Sequence, residues 1–108
     1  MQVKEINEIL FDQEVMNEPG IVVAKFYGSW CGPCKMVDAI IHQMPDFDGL
    51  KMVSIDVDKN ITLAKQFGVM AVPSFVVFKE GAYVDKFTGF RNQAQLTEIF
   101  EKYIASGK

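Results

Sequence analysis

The sequence predicts an α/β domain whose mixed β-sheet is covered by helices on both faces. Along the 108 residues, strand-like apolar runs alternate with helix-like patterns in the order β-α-β-α-β-α-β-β-α. This alternation is typical of a parallel sheet flanked by helices. The last two strand-like runs are separated only by Lys79-Glu80-Gly81-Ala82, which predicts an antiparallel hairpin at one edge of the sheet. We expect a single domain over residues 1–108.

The first half of the chain predicts two strands and two helices. Residues 2–6 are expected to form a short strand, and Asn7 is expected to cap a helix over residues 7–17. Pro19-Gly20 ends that helix. Ile21–Tyr27 is almost continuously apolar, which is typical of a strand buried on both faces. The next helical pattern stops before Pro45.

The second half predicts three more strands and two helices. Residues 51–57 form a strand, and a short helix follows over residues 61–67. The hairpin strands cover residues 74–78 and 83–87. Asn92 and Gln95 resemble a capping box at the start of a final helix. One face of that helix is apolar, with Leu96, Ile99, Phe100 and Tyr103.

Both cysteines lie in Trp30-Cys31-Gly32-Pro33-Cys34-Lys35, where the buried strand ends and the next helix begins. Cys31 falls at the cap position, where the unpaired N–H groups of the first turn stabilise a thiolate. Cys34 lies three residues on, so the two Cα atoms should be roughly 5–6 Å apart, within disulfide range. We expect Cys31 to be exposed and Cys34 covered. Gly32 allows another chain to approach, and Pro33 suits a helix start.

Three interpretations of the cysteine pair are open. A structural disulfide would close a loop of about four residues and contribute about 2 kcal/mol. A zinc site would need four ligands, but Cys31, Cys34 and His42 are the only soft candidates. A reversible dithiol/disulfide centre is the third, and C-x-x-C near a βαβ pattern favours it.

Composition and charge exclude some classes of partner. The net charge is −3 and the pI about 5.0, which argues against nucleic acid and anionic membranes. No apolar run approaches the ~20 residues of a membrane span. The N-terminus lacks the features of a secretory signal, so a cytoplasmic location is expected if the sequence is the whole precursor. The six methionines are interpreted as core residues.

The hexapeptide after an apolar strand resembles the active site of the thioredoxin family. Gly68-Val69-Met70-Ala71-Val72-Pro73-Ser74-Phe75 resembles the second loop of that family, and Thr88-Gly89-Phe90 matches its following glycine. The resemblance covers nearly the whole chain. It implies a central mixed five-stranded sheet flanked by four α-helices. Open α/β sheets place their sites at the carboxyl ends of strands, where the cysteines are expected.

The resemblance implies a protein-disulfide reductase that works by thiol–disulfide exchange and needs no bound cofactor or metal. Cys31 would attack the substrate disulfide, and Cys34 would resolve the mixed disulfide. The implied electron donor is thioredoxin reductase. Implied substrates are protein disulfides, such as those of ribonucleotide reductase, peroxiredoxins or methionine sulfoxide reductases, and a monomer is expected. A thioredoxin-fold oxidant or isomerase, and a non-catalytic binding subunit, are the alternatives; Gly32-Pro33 matches the reducing branch.

The resemblance also implies the substrate groove. Pro73 corresponds to a cis-proline that faces the disulfide, although only about 5–6% of X–Pro bonds are cis in general. The backbone of Val72 would then be free to pair with a substrate peptide by strand addition. Gly89 would line the same groove. Trp30 is either a core residue or an apolar contact beside the site, and we favour the second.

Lys25 departs from the family, which usually has a buried aspartate at this position. One interpretation is that Lys25 extends its ammonium to water. The other is that a buried Lys25 amine has a lowered pKa and takes the proton of Cys34. A charged Lys25 would instead stabilise a thiolate. Ser54 stands where the family often has a lysine, and Asp56 or a water is expected to compensate Lys25.

Overall fold

A computed structural model describes residues 1–106 and contains one five-stranded mixed sheet. Its strands lie in the order β1-β3-β2-β4-β5, and β4 and β5 are antiparallel to their neighbours. The predicted mixed sheet with an antiparallel hairpin at one edge is therefore confirmed. The strands are β1 (Val3–Ile6), β2 (Ile21–Tyr27), β3 (Leu50–Asp56), β4 (Ser74–Lys79) and β5 (Ala82–Thr88).

The helical elements are a π-helical segment (Asp12–Met16), α1 (Gly32–Gln43), α2 (Ile61–Gln66) and α3 (Gln93–Ala105). The capping box at the start of α3 is confirmed, because Asn92 and Gln95 exchange two hydrogen bonds of 2.9 Å. Within residues 1–106, none of the helices has the length and apolar character needed to cross a bilayer.

The helix expected over residues 7–17 is wrong in its extent and type. The Asn7 side chain accepts a bond from the Leu10 N–H at 3.0 Å and forms only a turn. The chain then becomes π-helical, and the Asn17 N–H donates to the Asp12 carbonyl at 2.8 Å. In this wider turn both Glu14 and Val15 are buried. Val15 packs in the core while Glu14 reaches two lysines on neighbouring strands.

The central strand β2 separates two apolar cores. Val22, Ala24 and Phe26 face the core under the π-helical segment and α2. Ile21 and Val23 face the core under α1 and α3. Because both faces of β2 are covered, its sequence is almost continuously apolar.

The buried Glu14 side chain forms ion pairs with lysines of β1 and β3, whose own side chains reach the surface. Its carboxylate accepts from Lys51 Nζ at 2.8 Å and from Lys4 Nζ at 2.9 Å. Lys51 also contacts Glu18 at 2.8 Å. The hydrogen bond from Lys51, followed by that from Lys4, lowers the pKa of Glu14 from its usual 4.5 to about 2.

This pKa predicts how the stability of the wild-type protein depends on pH. A carboxyl whose pKa is lowered by folding stabilises the protein above about pH 4.5, and that stabilisation is lost as the pH falls toward 2. Glu14→Gln should therefore be less stable than wild type at pH 7, and the difference should shrink on acidification. Urea unfolding between pH 7 and pH 2.5 measures this difference. Asp48→Asn, at an exposed position, is the control, and a difference independent of pH would contradict the assignment.

Candidate active site

The two cysteines form a disulfide at the junction of β2 and α1. Their Cα atoms are 5.3 Å apart, as the sequence spacing predicts. Cys31 is the N-cap residue of α1, and its Sγ accepts from the Cys34 N–H at 3.2 Å. When the pair is reduced, this N–H and the helix N-terminus favour negative charge on the Cys31 sulfur.

The prediction that Cys31 is exposed is wrong. Cys31 retains 4% of its accessible surface and Cys34 retains 1%, so both are buried. The loop before β4 lies against the disulfide, and the Val72 carbonyl oxygen is 3.7 Å from Cys31 Sγ. Cys31 remains the more accessible of the two cysteines only by a narrow margin.

The cis conformation predicted for Pro73 is confirmed, because the Val72–Pro73 bond is cis. The Pro73 carbonyl accepts from the Gly89 N–H at 2.8 Å, so the predicted groove residues of two loops are adjacent. Among residues 1–106, the Val72 N–H donates to no protein acceptor. An unpaired N–H and a carbonyl beside a disulfide are the groups that strand addition requires.

Trp30 lies at the surface beside the cysteines, so the core interpretation is wrong. Its side chain is 66% exposed, and its indole Nε1 donates to Asp58 Oδ2 at 2.8 Å. Gly28 lies against the indole ring, and a Cβ there would be 2.6 Å from Trp30 Cε2. Sequence reasoning missed the roles of Gly28 and Asp58, since neither contact follows from a local pattern.

An apolar depression extends from Trp30 along the loop before β4. The cavity has a volume of about 120 Å³. Met70 is 97% exposed at its edge, and Met36 on α1 is 60% exposed. Met16 is exposed as well, so the interpretation of the six methionines as core residues is wrong for these three. Val57, Val69, Ala71 and Val72 complete the lining.

Lys25 is buried under α1, so its ammonium does not extend freely to water. Its side chain is 4% exposed and forms an ion pair with Asp38 on α1. The expected compensation by Asp56 is wrong, because Asp56 instead accepts from the Asp58 N–H at 2.9 Å. Burial lowers the pKa of Lys25 to about 8, and the charge of Glu5 opposes that shift.

Asp38 was not identified from the sequence as the partner of Lys25, although its spacing from Cys34 indicates its position. It lies four residues after Cys34, so both side chains project from the same side of α1. A lysine in a buried strand needs a negative charge nearby, and a carboxylate on the side of the helix that covers the strand can provide it. In the part of the chain that the structure describes, no three metal-binding side chains cluster.

Comparison with known proteins gives consistent results. A family model described as Thioredoxin matches residues 2–102. The chain is 38% identical over 104 residues to the thioredoxin of Listeria monocytogenes, covering 94% of this chain and 99% of that protein. It is 35% identical over 106 residues to the thioredoxin of Staphylococcus saprophyticus, covering 96% and 100%.

A solved structure has the same fold. A mutant thioredoxin from Halobacterium salinarum NRC-1 superposes with a TM-score of 0.85 at 30% identity. The match covers 95% of this chain and 91% of that one.

The contact between Gly28 and the indole predicts the effect of adding a methyl group. Gly28→Ala should displace the Trp30 ring and break its hydrogen bond to Asp58. Because Trp30 is the only tryptophan, quenching of fluorescence by iodide should rise toward that of a fully exposed indole. Gly32→Ala is the matched control, since a Cβ there meets no atom within 4 Å. Equal quenching in both variants would show that Gly28 does not hold the ring.

Proposed function

The chain belongs to the thioredoxin family, and we propose how its residues perform the thiol–disulfide exchange of that family. It is a thiol–disulfide oxidoreductase that reduces protein disulfides and is itself recycled by a reductase. The observation that carries the proposal is the Cys31–Cys34 disulfide, which lies at the N-terminus of α1 beside the Val72 backbone.

The first step is attack by the reduced Cys31. Its thiolate forms a bond to one sulfur of the substrate disulfide, and the other substrate sulfur leaves as a thiolate. The Cys34 N–H and the first turn of α1 stabilise the Cys31 thiolate before attack. Pro33 gives up an N–H that the first turn leaves unpaired, and together with Gly32 it tunes the stability of the disulfide.

The second step is resolution by Cys34. Cys34 loses its proton and attacks Cys31 Sγ, which closes the disulfide and releases the second substrate sulfur as a thiolate. Lys25, buried under the same helix, takes the proton of Cys34. An amine with a pKa of about 8 is suited to this transfer near neutral pH.

The substrate binds in the groove formed by Trp30, Val72, Pro73 and Gly89. An extended substrate segment pairs with the Val72 N–H and carbonyl as an added strand. The exposed face of Trp30 and the neighbouring Met70 provide apolar contact beside the reacting sulfurs. Gly89, bonded to Pro73, borders the groove without a side chain.

The electron donor is thioredoxin reductase, and the substrates are disulfides of proteins such as ribonucleotide reductase, peroxiredoxins and methionine sulfoxide reductases. These assignments follow from the family. The protein needs no bound cofactor because the two thiols carry both electrons. It acts as a monomer in the cytoplasm, as one domain over residues 1–108.

Two other functions are less well supported. An oxidant or isomerase would have the same fold, but Gly32-Pro33 matches the reducing branch of the family. A binding subunit would not need the two cysteines, which are paired here across one helical turn.

Replacing Cys34 separates the two steps of the mechanism. Cys34→Ser should accumulate a mixed disulfide between Cys31 and the substrate protein and lose turnover, because nothing resolves the intermediate. Non-reducing electrophoresis with insulin as substrate detects the adduct. Cys31→Ser, the matched control, should trap nothing. Turnover by Cys34→Ser at the wild-type rate would exclude Cys34 as the resolving thiol.

Gly32 tests whether a substrate chain approaches the first turn of α1. Because a Cβ at this position meets no atom within 4 Å, Gly32→Ala should retain stability or gain up to about 1 kcal/mol. Its reaction with a protein disulfide should nevertheless slow, because the methyl group lies where the substrate approaches. Reaction with a small aromatic disulfide is the control and should change little. If Gly32→Ala and wild type react with protein disulfides at equal rates, the substrate chain does not approach α1 at Gly32.

A further inference from the structure

The ion pair between Lys25 and Asp38 lies on the side of α1 that carries Cys34. Cys34 and Asp38 are four residues apart, so their Cβ atoms are about 5–6 Å from each other along the helix. Lys25 approaches Asp38 from β2 and is 3% exposed. The ion pair therefore lies about one helical turn along α1 from Cys34.

A polar cavity of about 230 Å³ opens beside this pair. The charged or titratable groups around Lys25 come from every element that packs there. These are Glu5 from β1, Tyr27 from β2, and Asp38 and His42 from α1. Asp56 from β3 acts through its charge on Tyr27. On the remaining neighbour, β4, the residue paired with Lys25 is the apolar Phe75.

Among these groups, Asp38 has the direct contact with the amine. Glu5 acts on Lys25 only through its charge, because its carboxylate accepts from the Tyr27 hydroxyl at 2.8 Å. Tyr27 offers its ring face to Lys25, with the Nζ atom 5.3 Å from the ring centroid. The charge of Glu5 and the ring of Tyr27 both favour the ammonium form of Lys25, but the ion pair with Asp38 fixes the position of its Nζ atom.

We propose that Asp38 is a positioning residue for the resolving step, which holds the Lys25 amine beneath Cys34 and sets the pH at which it accepts the Cys34 proton. The proposal rests on the function proposed above and deepens its second step. Asp38 does not itself touch the reacting sulfurs.

The atoms balance without an external oxidant or reductant. The neutral Lys25 amine takes the proton from Cys34 Sγ and becomes an ammonium. The Cys34 thiolate then bonds to Cys31 Sγ, and the electron pair of the broken bond leaves on the substrate sulfur. The ammonium then releases the proton to solvent, which returns the amine to its starting form.

The charge of Asp38 determines in which direction its removal shifts the pH profile of the resolving step. Burial disfavours the Lys25 ammonium and lowers its pKa, whereas a carboxylate in contact favours the ammonium. Removing the Asp38 charge leaves burial opposed by the charge of Glu5 and the ring of Tyr27. The pKa of Lys25 should then fall further below its usual value, and this fall is limited because Asp38 is partly exposed and its charge is screened.

A purely structural role for the pair makes a different prediction. If Asp38 only compensates a buried charge, Asp38→Asn lowers stability but leaves the pH profile of the resolving step unchanged. The pH profile therefore distinguishes the proposal from simple compensation, and stability does not.

The experiment follows two successive releases of thionitrobenzoate. Reduced full-length protein is mixed with 5,5′-dithiobis(2-nitrobenzoate) in a stopped-flow instrument between pH 6 and pH 9.5. The first release reports attack by Cys31, and the second reports resolution by Cys34. The proteins are wild type, Asp38→Asn, Lys25→Met, the double variant, and Asp48→Asn as an exposed control.

The proposal expects the inflection of the second phase to lie at a lower pH in Asp38→Asn than in wild type. Above this inflection, where the amine is neutral in both proteins, the second phase of Asp38→Asn should be slower than that of wild type, because the amine is no longer held beneath Cys34. Lys25→Met should lose this inflection, and adding Asp38→Asn to it should have no further effect. Asp48→Asn should match wild type.

An unchanged inflection in Asp38→Asn overturns the proposal. An effect of Asp38→Asn that persists in the Lys25→Met background also overturns it. If Asp38→Asn does not fold, a comparison that leaves Asp38 intact provides a test. The Lys25 Cε resonance, followed by NMR in the trapped Cys34→Ser adduct, must titrate with the inflection of the second phase of wild type. Different values overturn the proposal. If wild type shows no second release of thionitrobenzoate, the proposed function is overturned as well. If wild type shows that release but the inflection is the same in Asp38→Asn, only the role of Asp38 is overturned.

Discussion

The antiparallel pairing of β2 with β4 is the constraint on which the site depends. Phe26 pairs with Ser74, so the end of β2 lies beside the start of β4. The cysteines follow β2 and the cis-proline precedes β4, and the register therefore brings Cys31 against the Val72 carbonyl. The pairing of Ser74 with Thr88 adds Gly89 to the same edge. A shift of one residue in either pairing would turn these groups to the opposite face of the sheet.

The second constraint is a buried charge in the central strand. Moving an ammonium out of water costs several kcal/mol, so a lysine in β2 needs a partner or a neutral state. The partner comes from α1 rather than from the sheet, because Ser54 is the β3 residue paired with Lys25. Asp56, two residues further, is already bonded to the Asp58 N–H. The carboxylate that compensates Lys25 consequently belongs to the helix that carries the dithiol.

Local patterns predicted most of the fold and part of the site. The five strands, the hairpin and the capping box of Asn92 follow from periodicity and turn chemistry, which act over a few residues. The cis bond at Pro73 followed from family resemblance and from nothing in its local sequence. The contacts of Trp30 with Gly28 and Asp58, and of Lys25 with Asp38, depend on how distant elements pack. The burial of Cys31 was missed for the same reason, since the loop before β4 covers it.

Stability alone gives little reason for the pair beneath α1. Replacing a buried ion pair with apolar residues of similar volume is often neutral, or stabilising by about 1–4 kcal/mol. The neighbouring residues Val23, Val37 and Ile41 show that this side of β2 and α1 accommodates apolar side chains. A proton acceptor is useful only within reach of a thiol that must be deprotonated, and Cys34 is the residue one turn from Asp38 on that helix. The position of the pair therefore matches the needs of the resolving step better than those of the core.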